Sequence, residues 1–196
     1  MSSLQSYPGG YYTWFRYDSA SKVDLWSTLV VRDGMWIVID PTILPEKEML
    51  ELKKLGQPQA ILLTSGNHER ASEAWQEKFQ IPIGTSAEAL IRLKRKPDFF
   101  FKEGSEVYDF LPICIFGAGP GEMAFYDKKM RTAVVGDCIV NLDMMPFSLL
   151  PDKYCQDPRL MRKALKTLLN FDIARFFFAH GQPVLKETSQ KLRELL

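Results

Sequence analysis

A hairpin that continues into a strand–helix–strand segment restricts most strongly how this chain can fold. Residues 25–32 and 35–40 are apolar and rich in β-branched side chains, and the intervening Asp33-Gly34 is typical of a tight β-turn. A helix then begins near Pro45, and the apolar strand 59–64 follows it. The first half therefore predicts a β-sheet with at least one helix packed on it.

The second half of the chain has the same mixture of elements. Strands are predicted there at 105–110, 111–118, 122–127, 131–137 and 174–179, and helices at 158–171 and from about residue 183; two further helices, at 69–79 and 86–96, are predicted at the end of the first half. Apolar residues at helical spacing form one face of the helix at 158–171: Leu160, Met161, Ala164, Leu165, Leu168 and Leu169. Two face-to-face sheets with helices outside would cover all of these surfaces, and no linker divides the chain, so we predict one domain over 1–196.

Composition excludes several classes of function. The 196 residues carry a formal net charge of +1, which gives no strong electrostatic reason to expect nucleic acid or an anionic membrane as a partner. The basic run at 92–96 is interpreted as a solvated helix end, with anion binding as the less favoured alternative. Three cysteines without a CxxC pair, no signal-peptide pattern and no apolar run of about 20 residues favour the cytoplasm.

The segment "LLTSGNHERASEAW" at 62–75 has the form of an active-site loop. An apolar strand leads into a polar loop, and a helix follows. The loop contains Ser65, Asn67, His68, Glu69 and Arg70. These residue types suit metal binding, acid–base chemistry or the binding of a polar ligand.

In element order and loop sequences, the chain resembles the metallo-β-lactamase fold superfamily, which includes glyoxalase II-like thioesterases, lactonases and β-lactamases. The resemblance spans nearly the whole chain, through "LVVRDGMWIVIDPT", "AILLTSGNHERASEAW", "GAGPGEMAFY", "VVGDCIV" and "FFFAHGQPV". It implies an α/β four-layer αββα sandwich with two mixed β-sheets and helices outside. It also implies two metal ions held by T-H-x-H-x-D-H, G-H-T-P-G, G-D and H-G segments.

The first metal site of that family has no counterpart in the aligned residues. Ser65 and Asn67 stand where the first two histidines stand, and Ala118 stands where the third would be. None of these residues has an imidazole, and the alanine has no donor atom. The resemblance therefore implies a degenerate cleft.

The second metal site is partly retained. Glu69 replaces an aspartate and Arg70 replaces a histidine, while Asp137 matches the bridging aspartate and His180 the last histidine. Our first hypothesis is that the Arg70 guanidinium replaces the metal and pairs with Asp137, with Glu69 or His180 completing the network. The protein would then lack the dinuclear zinc centre and any other cofactor, and would be non-catalytic or altered. It would bind a small polar ligand or a protein partner.

The alternative is a hydrolase of ester, thioester or lactone bonds that uses one divalent metal, zinc, manganese or iron, at Glu69, Asp137 and His180. Both hypotheses remain open from the sequence, and no catalytic residue is assigned.

His68 falls between the ligand positions and is expected to be a surface or helix-entry residue. Asp40 is expected to brace the neighbouring loop, and Cys138 to lie in the core. The segment 143–158 is either a lid or partner surface, or an ordinary crossing loop.

Overall fold

The computed structural model describes residues 4–196, in which the first half of the chain forms a seven-stranded mixed sheet. Its strands are adjacent in chain order: β1 (Gln5–Tyr7), β2 (Tyr11–Asp18), β3 (Val23–Arg32), β4 (Met35–Ile39), β5 (Gln57–Leu62), β6 (Ile83–Thr85) and β7 (Phe99–Phe100). Strands β1 to β4 pair antiparallel, whereas β4 to β7 pair parallel. The turn between β3 and β4 is the predicted one, since Asp33 and Gly34 both have positive φ.

The second half forms a four-stranded sheet and a separate hairpin. The four strands, in spatial order, are β13 (Arg175–Phe178), β10 (Thr132–Val135), β9 (Met123–Asp127) and β8 (Leu111–Cys114). The hairpin is β11 (Ile139–Leu142) and β12 (Met145–Leu149). Strands β10 and β13 are parallel, so their carboxyl ends lie at the same edge of the sheet.

Four α-helices of eight to ten residues accompany the sheets: α1 (Glu46–Leu55), α2 (Ser72–Phe79), α3 (Pro158–Leu165) and α4 (Thr188–Leu195). The start of α3 is set locally, because the Asp157 carboxylate accepts the N–H groups of Arg159 and Leu160. The following Pro158 occupies the first turn, where a missing N–H costs nothing.

Three apolar clusters show that the layers stack as helix, sheet, sheet, helix. Alternate residues of β4 point to opposite faces: Ile37 and Ile39 join the cluster between the sheets, and Trp36 and Val38 join the cluster under α1 and α2. A third cluster packs α3 and α4 against the second sheet. The expected four-layer α/β architecture is therefore confirmed.

Three predicted elements are wrong. The helix expected at 86–96 is only a 3-10 helix at Ala87–Ile91, because Ala89 is its one buried residue and no apolar face is available to pack. The strand expected at 105–110 is reduced to a single bridge between Val107 and Phe110, around two residues with positive φ. The last helix begins at Thr188 rather than near residue 183, since Val184 pairs with β13.

The segment proposed as a lid or crossing loop begins within the β11–β12 hairpin. Phe147 of this hairpin packs edge-on against Phe176 and Phe178 of β13. These contacts attach the hairpin to the second sheet. Among residues 4–196, no helix is both long enough and apolar enough to cross a membrane.

Substitution of Trp75, in α2, tests the packing of the helices on the seven-stranded sheet. Its ring stacks on Trp14 at 5.5 Å between centroids, and its indole N–H donates to the carbonyl of Thr42. We expect Trp75→Ala to lower the free energy of unfolding by about 3–5 kcal/mol in urea denaturation, because it leaves a large cavity. Tyr17→Ala, which removes a ring that is 65% exposed, should cost less than about 1 kcal/mol; equal losses would contradict this account of the packing.

Candidate functional site

The loop after β5 is held by a buried carboxylate at the end of β4. Asp40 accepts hydrogen bonds from the backbone N–H and the side-chain hydroxyl of Thr64. Strands β4 and β5 are parallel neighbours, so the segments after them begin side by side. The expectation that Asp40 braces the neighbouring loop is confirmed.

His68 is buried, and its expected surface position is wrong. Residues Gly66–His68 form one turn of 3-10 helix that directs the imidazole inward. Nδ1 of His68 lies 3.0 Å from Oδ2 of Asp40 and 2.8 Å from Oγ1 of Thr64. Nε2 lies 3.1 Å from Oδ1 of Asp137, so the ring bridges two carboxylates.

His180 approaches the same carboxylate oxygen from the second sheet. Asp137 follows β10 and His180 follows β13, and the parallel pairing of these strands brings the two side chains together. Nε2 of His180 lies 3.0 Å from Oδ1 of Asp137. The side chains of Asp137 and His180 are each 14% exposed, whereas that of His68 is 2% exposed.

The three side chains perturb one another's ionisation. Burial by itself would lower the pKa of His68, but the carboxylates of Asp137 and Asp40 outweigh it and raise the pKa to about 10. Burial opposes ionisation of Asp137 as well, yet the two histidines hold its pKa well below the usual range. Burial lowers the pKa of His180. Near neutral pH, His68 is therefore the imidazolium of this cluster and His180 is neutral.

Arg70 does not form the expected ion pair with Asp137. Its guanidinium donates to three backbone carbonyls, those of Trp26 at 2.6 Å, Asp40 at 3.1 Å and Ala179 at 3.1 Å. These carbonyls lie in β3, after β4 and after β13, so Arg70 joins the two sheets. The prediction is wrong because the buried carbonyls use the N–H groups that the carboxylate was expected to take.

Glu69 lies outside the cluster. Its two carboxylate oxygens accept the backbone N–H groups of Lys94 and Arg95 at 3.0 and 3.1 Å. The expected metal group of Glu69, Asp137 and His180 is therefore wrong in one member. Within the described part of the chain, the His, Cys, Asp and Glu side chains that converge on one point are His68, Asp137 and His180, with ligand atoms within 4.8 Å of one another.

The residues aligned with the family's first metal site do not provide a set of metal ligands. Oγ of Ser65 lies 3.3 Å from the N–H of Asn67, and Nδ2 of Asn67 lies 3.4 Å from Oδ2 of Asp137. Ala118 is fully buried in the core of the second sheet. An amide, a hydroxyl and a methyl group replace three imidazoles, so a two-ion centre does not fit these residues.

The structure also reveals a buried acid that the sequence analysis missed, Glu122. One carboxyl oxygen accepts the N–H of Cys138, and the other has no partner in residues 4–196. Burial and the nearby Asp137 raise the pKa of Glu122 to about 8. The signal in the sequence was an acid directly before the apolar residues 123–126. Cys138 lies in the core, as expected.

Comparison with known proteins identifies the family. The sequence profile described as the metallo-beta-lactamase superfamily matches residues 1–196. The chain belongs to this superfamily. A comparison with curated proteins finds no match.

Solved metallo-β-lactamase-fold proteins share the architecture at low identity. The DIM-1 metallo-β-lactamase exposed to ceftazidime is 12% identical, with a TM-score of 0.77 over 98% of this chain and 94% of that one. A metallo-β-lactamase from Pontibacter korlensis is 16% identical, with a TM-score of 0.75 over 97% and 98%. TTHA1623 in a di-iron-bound form is 20% identical, with a TM-score of 0.63 over 94% of each chain. These likenesses establish the metallo-β-lactamase fold.

The carbonyl contacts of Arg70 predict that it stabilises the fold rather than a ligand. Arg70→Lys keeps the charge but loses the planar set of donors, so we expect the free energy of unfolding to fall by about 1.5–3 kcal/mol. Urea denaturation measures the loss. The matched control is Arg95→Lys, where an exposed pair with Glu73 is worth about 0.5 kcal/mol or less. Equal, small losses in both variants would show that Arg70 does not join the sheets.

Proposed function

We propose that this metallo-β-lactamase-fold protein has an altered centre that binds one divalent ion at His68, Asp137 and His180. We further propose that it hydrolyses an ester, thioester or lactone bond. The observation that carries the proposal is the convergence of Nε2 of both histidines on Oδ1 of Asp137, at 3.1 and 3.0 Å.

The spacing of these atoms supports one ion. Ligands at about 2.0–2.2 Å from a zinc ion in tetrahedral geometry lie roughly 3.3 Å from each other. The two imidazole–carboxylate separations are close to that value, and all three ligand atoms lie within 4.8 Å of one another. Two imidazoles and a carboxylate suit zinc, iron or manganese and leave positions for a substrate.

Asp40 supports the same role for His68. A carboxylate only accepts hydrogen bonds, so the His68 nitrogen that faces Asp40, Nδ1, carries the hydrogen. This contact fixes the orientation of the ring, and an ion that displaced the Nε2 proton of the imidazolium would take Nε2 as its ligand atom. Carboxylate–histidine pairs of this kind are the usual support behind metal-binding histidines.

A divalent ion supplies Lewis-acid chemistry, polarising a carbonyl and lowering the pKa of a water molecule. The chain's own residues position the reactants. The partly exposed side chains of Asp137 and His180 face the approaching molecule, whereas His68 is shielded. Glu122 holds a proton on its carboxyl group near neutral pH, because burial and the nearby Asp137 carboxylate raise its pKa to about 8.

A second candidate function is binding without catalysis, in which the cluster needs no ion. It is favoured by the contacts of His68, whose two nitrogens face the carboxylates of Asp40 and Asp137. As an imidazolium, His68 would neutralise both acids together with nearby Arg70. The open cleft would then bind a small polar ligand or a protein partner.

Elemental analysis of protein purified without chelator separates these candidates. We expect about one zinc, manganese or iron ion per chain, and a lower melting temperature after chelation, because an ion bound only to the folded state stabilises it. His68→Ala and Asp137→Asn should each lose the ion, with folding verified by circular dichroism. A panel of ester, thioester and lactone substrates then tests for ion-dependent hydrolysis.

Glu69→Gln is the matched control, because Glu69 neighbours His68 in sequence and contacts only backbone N–H groups of the 92–96 run. It should retain the ion. Wild-type protein without an ion and with an unchanged melting temperature after chelation would overturn the single-ion proposal and favour the second candidate. Loss of the ion in Glu69→Gln, with the ion retained in His68→Ala and Asp137→Asn, would overturn the assignment of ligands.

A further inference from the structure

A basic cavity of about 340 Å³ lies beside the candidate centre. It is bounded by the loop after β5 and by the run of positive charge that the sequence presents at 92–96. Eight residues line this basic cavity: Gly66, Asn67, Glu69, Arg70, Glu73, Arg92, Lys94 and Arg95.

The basic run is held against the loop by specific contacts. Glu69 accepts the backbone N–H groups of Lys94 and Arg95. Gly66 allows the 3-10 helix before the basic run to approach the loop closely. A Cβ at Gly66 would lie 2.6 Å from the carbonyl oxygen of Ala89 and 3.0 Å from Cβ of Arg92. The backbone of the basic run is therefore fixed next to the loop.

The cavity has a surplus of positive charge. Four cationic side chains line it, against two carboxylates, Glu69 and Glu73. Arg95 pairs with Glu73 at 3.0 Å, and Arg70 is occupied by backbone carbonyls. The side chains of Arg92 and Lys94 are exposed and make no hydrogen bond or ion pair with residues 4–196.

One side chain connects this cavity to the centre. Asn67 lines the basic cavity, and its amide Nδ2 lies 3.4 Å from Oδ2 of Asp137. A small molecule that extends from the cavity past Asn67 would therefore reach Asp137. Asn67 is therefore the residue that the cavity and the cluster share.

We propose that the basic cavity binds a phosphate group of a small substrate, with Arg92 and Lys94 as its ligands. A phosphate monoester carries nearly two negative charges at neutral pH and matches the surplus of two cations. Arginine gives it a planar set of donors and lysine a point charge. The role of the phosphate as a handle on the substrate rests on the proposed function, but its binding does not require an ion at the centre.

Calorimetric titration with phenyl phosphate tests this inference on the full chain, in the presence of a chelator. We expect saturable binding that weakens at least about tenfold in the double variant Arg92→Gln, Lys94→Gln, because two charge-assisted contacts are lost. The matched control is Lys128→Gln, Lys129→Gln, which removes the same charge from the exposed turn between β9 and β10 and should leave the affinity unchanged. Benzoate should bind at least about tenfold more weakly than phenyl phosphate.

Absence of phenyl phosphate binding by the wild-type chain would overturn the inference. Equal weakening in the control pair would show attraction to net charge alone and would overturn it as well. Benzoate binding as tightly as phenyl phosphate would overturn the choice of phosphate. Elemental analysis of protein purified without chelator is a separate readout. An ion-free chain in that analysis, together with phenyl phosphate binding that depends on Arg92 and Lys94, would support the cavity and contradict the proposed function.

Discussion

The buried carboxylate of Asp40 is the constraint on which the candidate site depends. It receives hydrogen bonds from the backbone and side chain of Thr64 and from Nδ1 of His68. A carboxylate removed from water is costly unless its oxygens are satisfied, so the loop after β5 folds around this group. That requirement fixes the orientation of the His68 imidazole. With Nδ1 facing Asp40, Nε2 of the same ring faces Asp137, the residue that His180 also contacts.

Arg70 completes the scaffold from the other side of the loop. Its guanidinium donates to carbonyls from both sheets. Burial opposes ionisation of Asp40, but the positive charges of His68 and Arg70 together lower its pKa. Asp40 and Arg70 both have positive φ, at 50° and 43°, a conformation that non-glycine residues adopt at a cost. The hydrogen bonds of both side chains offset this strain. An arginine at a position that aligns with a metal-binding histidine thus supports the candidate centre without occupying it.

The layers of the fold could be predicted from the sequence, whereas the full set of residues that form the candidate site could not. Alternation along strands such as β4 is a local property, so it is visible in the residues themselves. The direction of His68 depends on a single 3-10 turn, and alignment by position treats that residue as lying between ligands. The carbonyl partners of Arg70 in β3 and after β13 lie 44 and 109 residues away, and nothing in the loop sequence indicates them. Asp137 and His180 were found because they match the G-D and H-G segments of the family that the chain resembles.

Anomalous diffraction at the zinc edge, from crystals grown with zinc, tests the central claim most directly. The account predicts one strong anomalous peak per chain, at about 2.0–2.2 Å from Nε2 of His68, Nε2 of His180 and an oxygen of Asp137. It also predicts that the contact between His68 and Asp40 is retained. A chain without a peak at this position, with both imidazoles still hydrogen-bonded to Asp137, would contradict it.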